Sequence, residues 1–396
     1  MTYNFDEIID RKGTFSTQWD YIQDRFGVAD LLPFSISDTD FRIPYEVQAA
    51  IAEFNELGIY GYTRWNHETF KDAICGHFKR RMDLELNPEE IVYSPSVLYT
   101  ISILLRELAT NRKTVLTFTP MYDSFYMVIE ENGLQRLDSP LLEHDGHFEI
   151  DFADLEEKMQ QSDVFLLCSP HNPTGRLWTY DELEKIVGLC QKYQVQLISD
   201  EIHMDINLTT RPHLPILTFY PRYQNMYLIS SASKTFNTPG LIGSYAFIPD
   251  GKTRERFLSV QKCRDFLNSA STLGMLATVT AYNQSENYID ALIPYIDQNL
   301  TYVEKFIQEN IPEFRYKKAE ATYLAWIDCR EMPWSMDALQ EALVKIGKVG
   351  IMNGKIYGEE RYLRMNCGAP LSKIKAGLDA VLASVQYLRS RTNGKN

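Results

Sequence analysis

VFLLCSPHNPTGRLWTYDELEKIVGLCQKYQVQLISDEIH, residues 164–203, decides the fold. Its first five residues form an uninterrupted apolar run of strand length, and VQLIS at 195–199 supplies a second such run near its end. Short runs of this kind suit strands with both faces covered, as in a parallel sheet. Between them, Thr179-Tyr180-Asp181-Glu182 has the spacing of a capping box. Leu183, Ile186, Val187 and Cys190 then recur on one face of a predicted helix over 179–193. A strand, an amphipathic helix and a second strand make a βαβ unit, and such units build an α/β layer.

The same alternation extends outward. Helices are predicted over 46–57, 67–81 and 97–110, and short buried strands at 91–93, 114–118, 226–231 and 243–248. The expected class is therefore α/β, with a mainly parallel sheet flanked by helices. Beyond about residue 280 the pattern changes to a long helix over 285–310, then strand and helix pieces, then a helix near 371–390. The expected organisation is an N-terminal arm (1–45) that completes a small domain, a large domain (46–284), and a smaller α/β C-terminal domain (285–396).

Composition narrows the function. With 44% hydrophobic and 23% charged residues in 396, the chain can bury a large core, and its 24 Tyr and 20 Phe exclude wholesale disorder. A formal net charge of -13 repels phosphate backbones, and the cluster Lys79-Arg80-Arg81 reads as the polar end of a helix, so no nucleic acid is expected. MTYNFDEIID carries acids and no apolar signal core, and no apolar run approaches a bilayer span, so no membrane partner is expected either. The six cysteines are scattered without a CxxC pair, which favours reduced thiols and a cytoplasmic location. His144 and His147 flank Asp145-Gly146 in what reads as a turn, so no metal is expected.

In parallel-sheet proteins, ligands collect at the carboxyl ends of strands. Three polar segments follow predicted strands here: Ser169-Pro170-His171-Asn172-Pro173-Thr174-Gly175-Arg176, Asp200-Glu201-Ile202-His203, and Ser231-Ala232-Ser233-Lys234-Thr235-Phe236. Singly they are ordinary turn chemistry, a helix cap and a solvated loop. In this order, and with Arg364-Met365-Asn366, they resemble the fold type I pyridoxal-phosphate (PLP) enzymes of the aspartate aminotransferase superfamily. The wording SPHNPTGRLW, DEIHMD and SASKTFNTPGL, with the early FDEIIDRKGT and YGYTRW, is similar to the cystathionine β-lyase (cysteine-S-conjugate β-lyase) branch. The resemblance spans essentially the whole chain.

That resemblance implies a seven-stranded, mainly parallel sheet with a smaller C-terminal domain, and pyridoxal 5'-phosphate as cofactor. Lys234 would hold the cofactor covalently and, as a free amine, move the substrate's Cα proton. Asp200 would keep the pyridine nitrogen protonated, which makes the ring an electron sink. Asn172 and His203 would serve the phenolic oxygen, and Tyr122 would stack on the ring. Ser231 and Ser233, with the backbone of Val97 and Leu98 at a helix N-terminus, would hold the phosphate. Tyr62, with Tyr60 as its competitor, would reach the phosphate from a neighbouring subunit, implying a homodimer with a shared active site. Arg364 would clamp the substrate α-carboxylate, a bidentate geometry that Lys cannot reproduce, with Asn172 and Tyr62 beside the substrate.

Two positions depart from the branch. Ser96 stands where Gly is usual, which leaves the phosphate contacts open, and Ala369-Pro370-Leu371 replaces the usual Cys-Pro-Arg, which leaves the packing behind Arg364 open. The branch implies β-elimination of cystathionine, or a related cysteine S-conjugate, to a thiol (homocysteine from cystathionine), pyruvate and ammonia. Transamination of apolar or aromatic amino acids needs the same Lys, Asp and Arg. A regulatory protein with a secondary PLP site is the third reading.

Overall fold

The computed structural model describes residues 3–393. Seven strands form the main sheet: β1 (Ile91–Ser94), β2 (Thr114–Thr119), β3 (Gln135–Pro140), β4 (Val164–Cys168), β5 (Gln196–Asp200), β6 (Met226–Ser230) and β7 (Ser244–Phe247). Their order is β1-β7-β6-β5-β4-β2-β3. All neighbours run parallel except β7, which is antiparallel to both β1 and β6. The sheet is thus mainly parallel, as the βαβ reading predicts.

The apolar runs alternate between two cores. Phe165 and Leu167 of β4 join one that continues into the C-terminal part of the chain, while Val164 and Leu166 join a second on the opposite face. This is why β4 reads as a continuous hydrophobic segment: every one of its side chains is buried, on alternate faces. The second core is closed by helix α1 (Val97–Leu108), which contributes Val97, Ile101, Leu104 and Leu105. On the first face, α2 (Tyr180–Tyr193) starts with the expected capping box, in which the Thr179 hydroxyl accepts from Glu182 N at 3.2 Å and Thr179 N donates to the Glu182 carboxylate at 2.8 Å.

Strand and helix boundaries fall within three residues of those predicted. β3 has no counterpart among the predicted strands. It reads QRLDSP, it is one of the two edge strands, and only Ser139 of it is buried. A half-solvated edge needs no apolar run, so hydrophobic patterning could not reveal it. His144 and His147 close a short hairpin whose turn residues Asp145 and Gly146 have φ of 49° and 77°. Among the described residues, no helix is long and apolar enough to cross a membrane.

A second, three-stranded antiparallel sheet contains β8 (Leu324–Asp328), β9 (Met352–Asn353) and β10 (Tyr362–Asn366), in the order β8-β10-β9. The long helices Glu286–Asn310 and Leu371–Asn393 belong to the same part of the chain. The N-terminal segment joins it through Leu32–Pro33, which pair in parallel with Val349–Gly350.

Two glycines allow the close approaches that shape the site. Gly175, at φ +70°, closes the turn after β4; a Cβ there would lie 2.4 Å from that of Ala319, while Gly175 O accepts from Ala321 N at 2.9 Å. The turn is thereby fastened to the approach to β8. Gly274 lies in helix α3 (Thr272–Gln284), where a Cβ would lie 2.0 Å from Ile242 O and 2.6 Å from Leu241 O. Gly274→Ala must displace that backbone, and it is expected to destabilise the protein by about 1–3 kcal/mol. A denaturation midpoint indistinguishable from wild type would show that the 241–243 loop yields freely.

Candidate functional site

β4, β5 and β6 run parallel and end side by side, Cys168 being paired with Asp200 and Asp200 with Ile229. The loops that follow them therefore emerge at one edge. The first carries Asn172, the second Asp200 and His203, and the third Ser231, Ser233 and Lys234. These residues line a cavity of about 490 Å³ together with Val97, Leu98, Tyr122 and Arg364. Every site residue expected from the sequence is brought together there except Tyr62, which is 99% exposed and lies outside the cavity lining. Tyr60 is also exposed and donates to Asn55 at 2.6 Å.

At the centre sit buried Asp200 and half-buried Lys234, which do not pair with each other. Burial raises the Asp200 carboxyl to about 7; Ile202 N–H and Lys234 oppose the rise, and Glu201 adds to it. Burial lowers the Lys234 amine to about 8, against the pull of Asp38 and with the repulsion of Arg364. Lys234 Nζ donates to Ser37 O at 2.8 Å, and the Tyr323 hydroxyl donates to the same carbonyl at 2.9 Å. An amine that is easily neutral at the mouth of the strands is suited to nucleophilic attack and proton transfer.

Two further groups hold unspent hydrogen-bonding capacity. His203 Nδ1 and Arg364 Nε are buried without a partner among the described residues. Burial, with Lys234 and Arg364 nearby, lowers the His203 imidazole to about 3 and keeps it neutral. Arg364 is aimed by three contacts: Nη1 donates to Asn172 Oδ1 at 3.1 Å, Nη2 donates to Ser35 O at 3.2 Å, and the guanidinium lies 4.3 Å from the Tyr357 ring centroid. A ligand with an anionic oxygen would satisfy these orphaned atoms, whose burial without one is costly.

At the other end, Ser96 caps α1, its hydroxyl accepting from Tyr99 N at 3.1 Å. Its φ of -155° is extended backbone, so a side chain is tolerated where glycine was expected. The backbone of Val97 and Leu98 opens α1, where unpaired N–H groups and the helix dipole favour an anion. Ser231 and Ser233 stand in hydroxyl contact at 3.0 Å. Tyr122 is half-buried in the wall, and burial raises its hydroxyl above the usual tyrosine value. The donor set fits a planar ring that carries a basic nitrogen, a phenolic oxygen and a phosphate.

Behind Arg364, the changed ending is held by the Glu286–Asn310 helix. Asn299 Nδ2 donates to Cys367 O at 3.0 Å and to Ala369 O at 2.8 Å, while Leu371 N donates to the Tyr295 hydroxyl at 2.8 Å. Sequence reasoning missed Ser35, Ser37, Tyr357, Arg25 and Asp123, all of which line the cavity. Ser35, Ser37, Tyr357 and Arg25 come from segments that carry no motif, while Asp123 directly follows Tyr122.

The Asp200 shift gives a stability test. A carboxyl raised above its unfolded value, about 4, stabilises the fold while protonated, and that contribution is lost as pH rises through about 7. In cofactor-free protein, the stability of Asp200→Asn relative to wild type should therefore grow as pH rises from about 4 to 7, by at most about 1.4 kcal/mol per pH unit, and then level off. Denaturation midpoints across this range measure it; a constant difference would show that burial of Asp200 imposes no such cost.

The chain matches the model of the family described as aminotransferase class I and II over residues 29–381. It is 40% identical to the protein MalY of Escherichia coli strain K12 over 98% of this chain and 100% of that one. It is 37% identical to the cystathionine beta-lyase PatB of Bacillus subtilis over 96% and 100% respectively. Among solved structures, cystalysin from Treponema denticola, which contains pyridoxal 5'-phosphate, superposes with a TM-score of 0.93 at 29% identity, over 98% of this chain and 100% of that one. The PLP-bound C-S lyase of Staphylococcus hominis gives 0.90 at 29% identity, over 97% and 98%. With a family match across most of its length and relatives that cover it end to end, the chain belongs to the class I and II aminotransferase family.

Proposed function

We propose that this protein is a PLP-dependent carbon–sulfur β-lyase, which cleaves cystathionine or a related cysteine S-conjugate to a thiol, pyruvate and ammonia. One observation carries the reading: half-buried Lys234 converges with buried Asp200 and Arg364 on one cavity in a chain matched end to end by a cystathionine beta-lyase. Lys234 would hold the cofactor covalently, and Asp200 would face its ring nitrogen. His203 and Asn172 would serve its phenolic oxygen and Tyr122 its ring face. Ser231, Ser233 and the start of α1 would take its phosphate. When bound, the cofactor supplies an electron sink for the substrate's Cα.

The protein's own groups do the rest. Arg364 binds the α-carboxylate through its fork, held in place by Asn172, Ser35 and Tyr357. Lys234 Nζ, lowered to about 8, takes the Cα proton as a neutral amine. The electron pair left at Cα becomes a Cα–Cβ double bond as the Cβ–S bond breaks with its own pair leaving on sulfur. Water then hydrolyses the three-carbon fragment to pyruvate and ammonia. A thiolate departs more readily than an alkoxide because its conjugate acid is stronger. Ser37 O supplies a hydrogen-bond acceptor that orients the amine.

The fully exposed Tyr62 belongs to the same reading. Leu57, Ile59, Phe266 and Leu267 are exposed too, and the Thr63 hydroxyl ties the two segments together by donating to Ala270 O at 2.8 Å. An apolar face around an exposed tyrosine suits a second copy of the chain, in a homodimer where Tyr62 completes the partner's site.

Purified holoenzyme mixed with L-cystathionine and no oxo acid is expected to release pyruvate and free thiol in equal amounts. Lys234→Ala should lose about 10³-fold or more of that rate. A cofactor absorption that moves to the pyridoxamine form without pyruvate would replace the lyase reading with transamination.

A further inference from the structure

Beyond Arg364, the cavity wall carries two opposite charges that the elimination chemistry leaves unused. Arg25 and Asp123 both line it. Among the described residues neither makes an ion pair, and the side-chain contact of Arg25 is Nη1 to Met352 Sδ at 3.3 Å. Tyr357 lines the same cavity and touches the carboxylate clamp. Its ring lies under the Arg364 guanidinium at 4.3 Å, and its hydroxyl feels Arg364, Asp123 and Arg25 together. Arg25 and Asp123 therefore share one cavity, and one tyrosine neighbour, with the group that binds the α-carboxylate.

Both charges are held by ordered elements. Arg25 is exposed on the short helix Ile22–Phe26, whose Ile22 is 2% exposed. That helix seats against Gly350, where a Cβ would meet Phe26 at 2.9 Å and Ile22 at 3.0 Å. Asp123 is half-buried as the first residue of the helix Asp123–Glu130, a position where the helix dipole favours a carboxylate. Past Arg25 and Ser35 a shallower depression continues along Tyr21 and Asp24, so the far end of a long substrate has room.

We infer that Arg25 and Asp123 form a subsite for the far end of a thioether that is itself an α-amino acid, Arg25 taking the distal carboxylate and Asp123 the distal ammonium. The inference rests on the lyase reading and narrows its substrate class. An S-alkyl or aromatic substrate would leave both charges unmatched, whereas a substrate with an amino-acid group at each end uses the clamp and the subsite together. Charge complementarity of this kind selects among substrates without touching the reacting atoms.

The test separates the two distal groups. S-(2-carboxyethyl)-L-cysteine carries only the distal carboxylate, S-(2-aminoethyl)-L-cysteine carries only the distal ammonium, and L-cystathionine carries both. Arg25→Gln holoenzyme should lose about tenfold in kcat/KM on the carboxyethyl substrate relative to the aminoethyl one, through KM. Asp123→Asn should show the reverse preference, and L-cystathionine should weaken with either. Arg25→Glu should shift the preference further toward the aminoethyl substrate. Equal effects of each variant on both single-charge substrates, or none on either, would overturn the subsite while the lyase reading stood. Absence of thiol release by the wild type from all three would overturn the lyase reading, and the subsite with it.

Discussion

Asp200 occupies the last paired position of β5, facing Cys168 across one neighbour and Ile229 across the other. The site depends on this parallel register. In parallel strands every chain leaves the sheet at the same edge, so three loops remote in sequence share one rim. A one-residue slip would turn each of these side chains to the opposite face. Burial on both sides prevents that slip: the residues of β4 divide between two packed cores, and neither core could accept the other's set unchanged.

The same burial makes the rim chemically poised. Asp200 and Lys234 are displaced toward neutrality mainly by desolvation, not by pairing with each other. Groups held in that state store an unfavourable term that a ligand with complementary charge can relieve. The orphaned nitrogens of His203 and Arg364 belong to the same account.

A strap at residues 35–41 joins the two sheets through its carbonyls. Ser35 O accepts from Arg364, Ile36 O and Asp38 O from Asn366, and Ser37 O from Lys234 and Tyr323. Asn237 completes the series by donating to Thr39 O and Phe41 O. The N-terminal segment thus positions the substrate clamp and the reactive amine at once, through backbone atoms that any sequence would supply. Side-chain patterning alone therefore gives no view of its role.

Local order determined much of this protein directly. Uninterrupted apolar runs mark strands covered on both faces, the capping box at Thr179 marks a helix start, and polar segments after successive strands mark a ligand edge. These signals are legible because burial and backbone hydrogen bonding act between near neighbours in the chain. β3 escaped because an edge strand needs few apolar side chains, and the roles of Ser37, Tyr357, Arg25 and Asp123 escaped because each depends on contacts or a shared wall built from remote segments. Only the tertiary structure decided how far Asp200 and Lys234 are displaced from their usual ionisation and which groups share a wall with Arg364. Desolvation and charge proximity depend on what packs around a residue in space, and the order of residues along the chain does not carry that information.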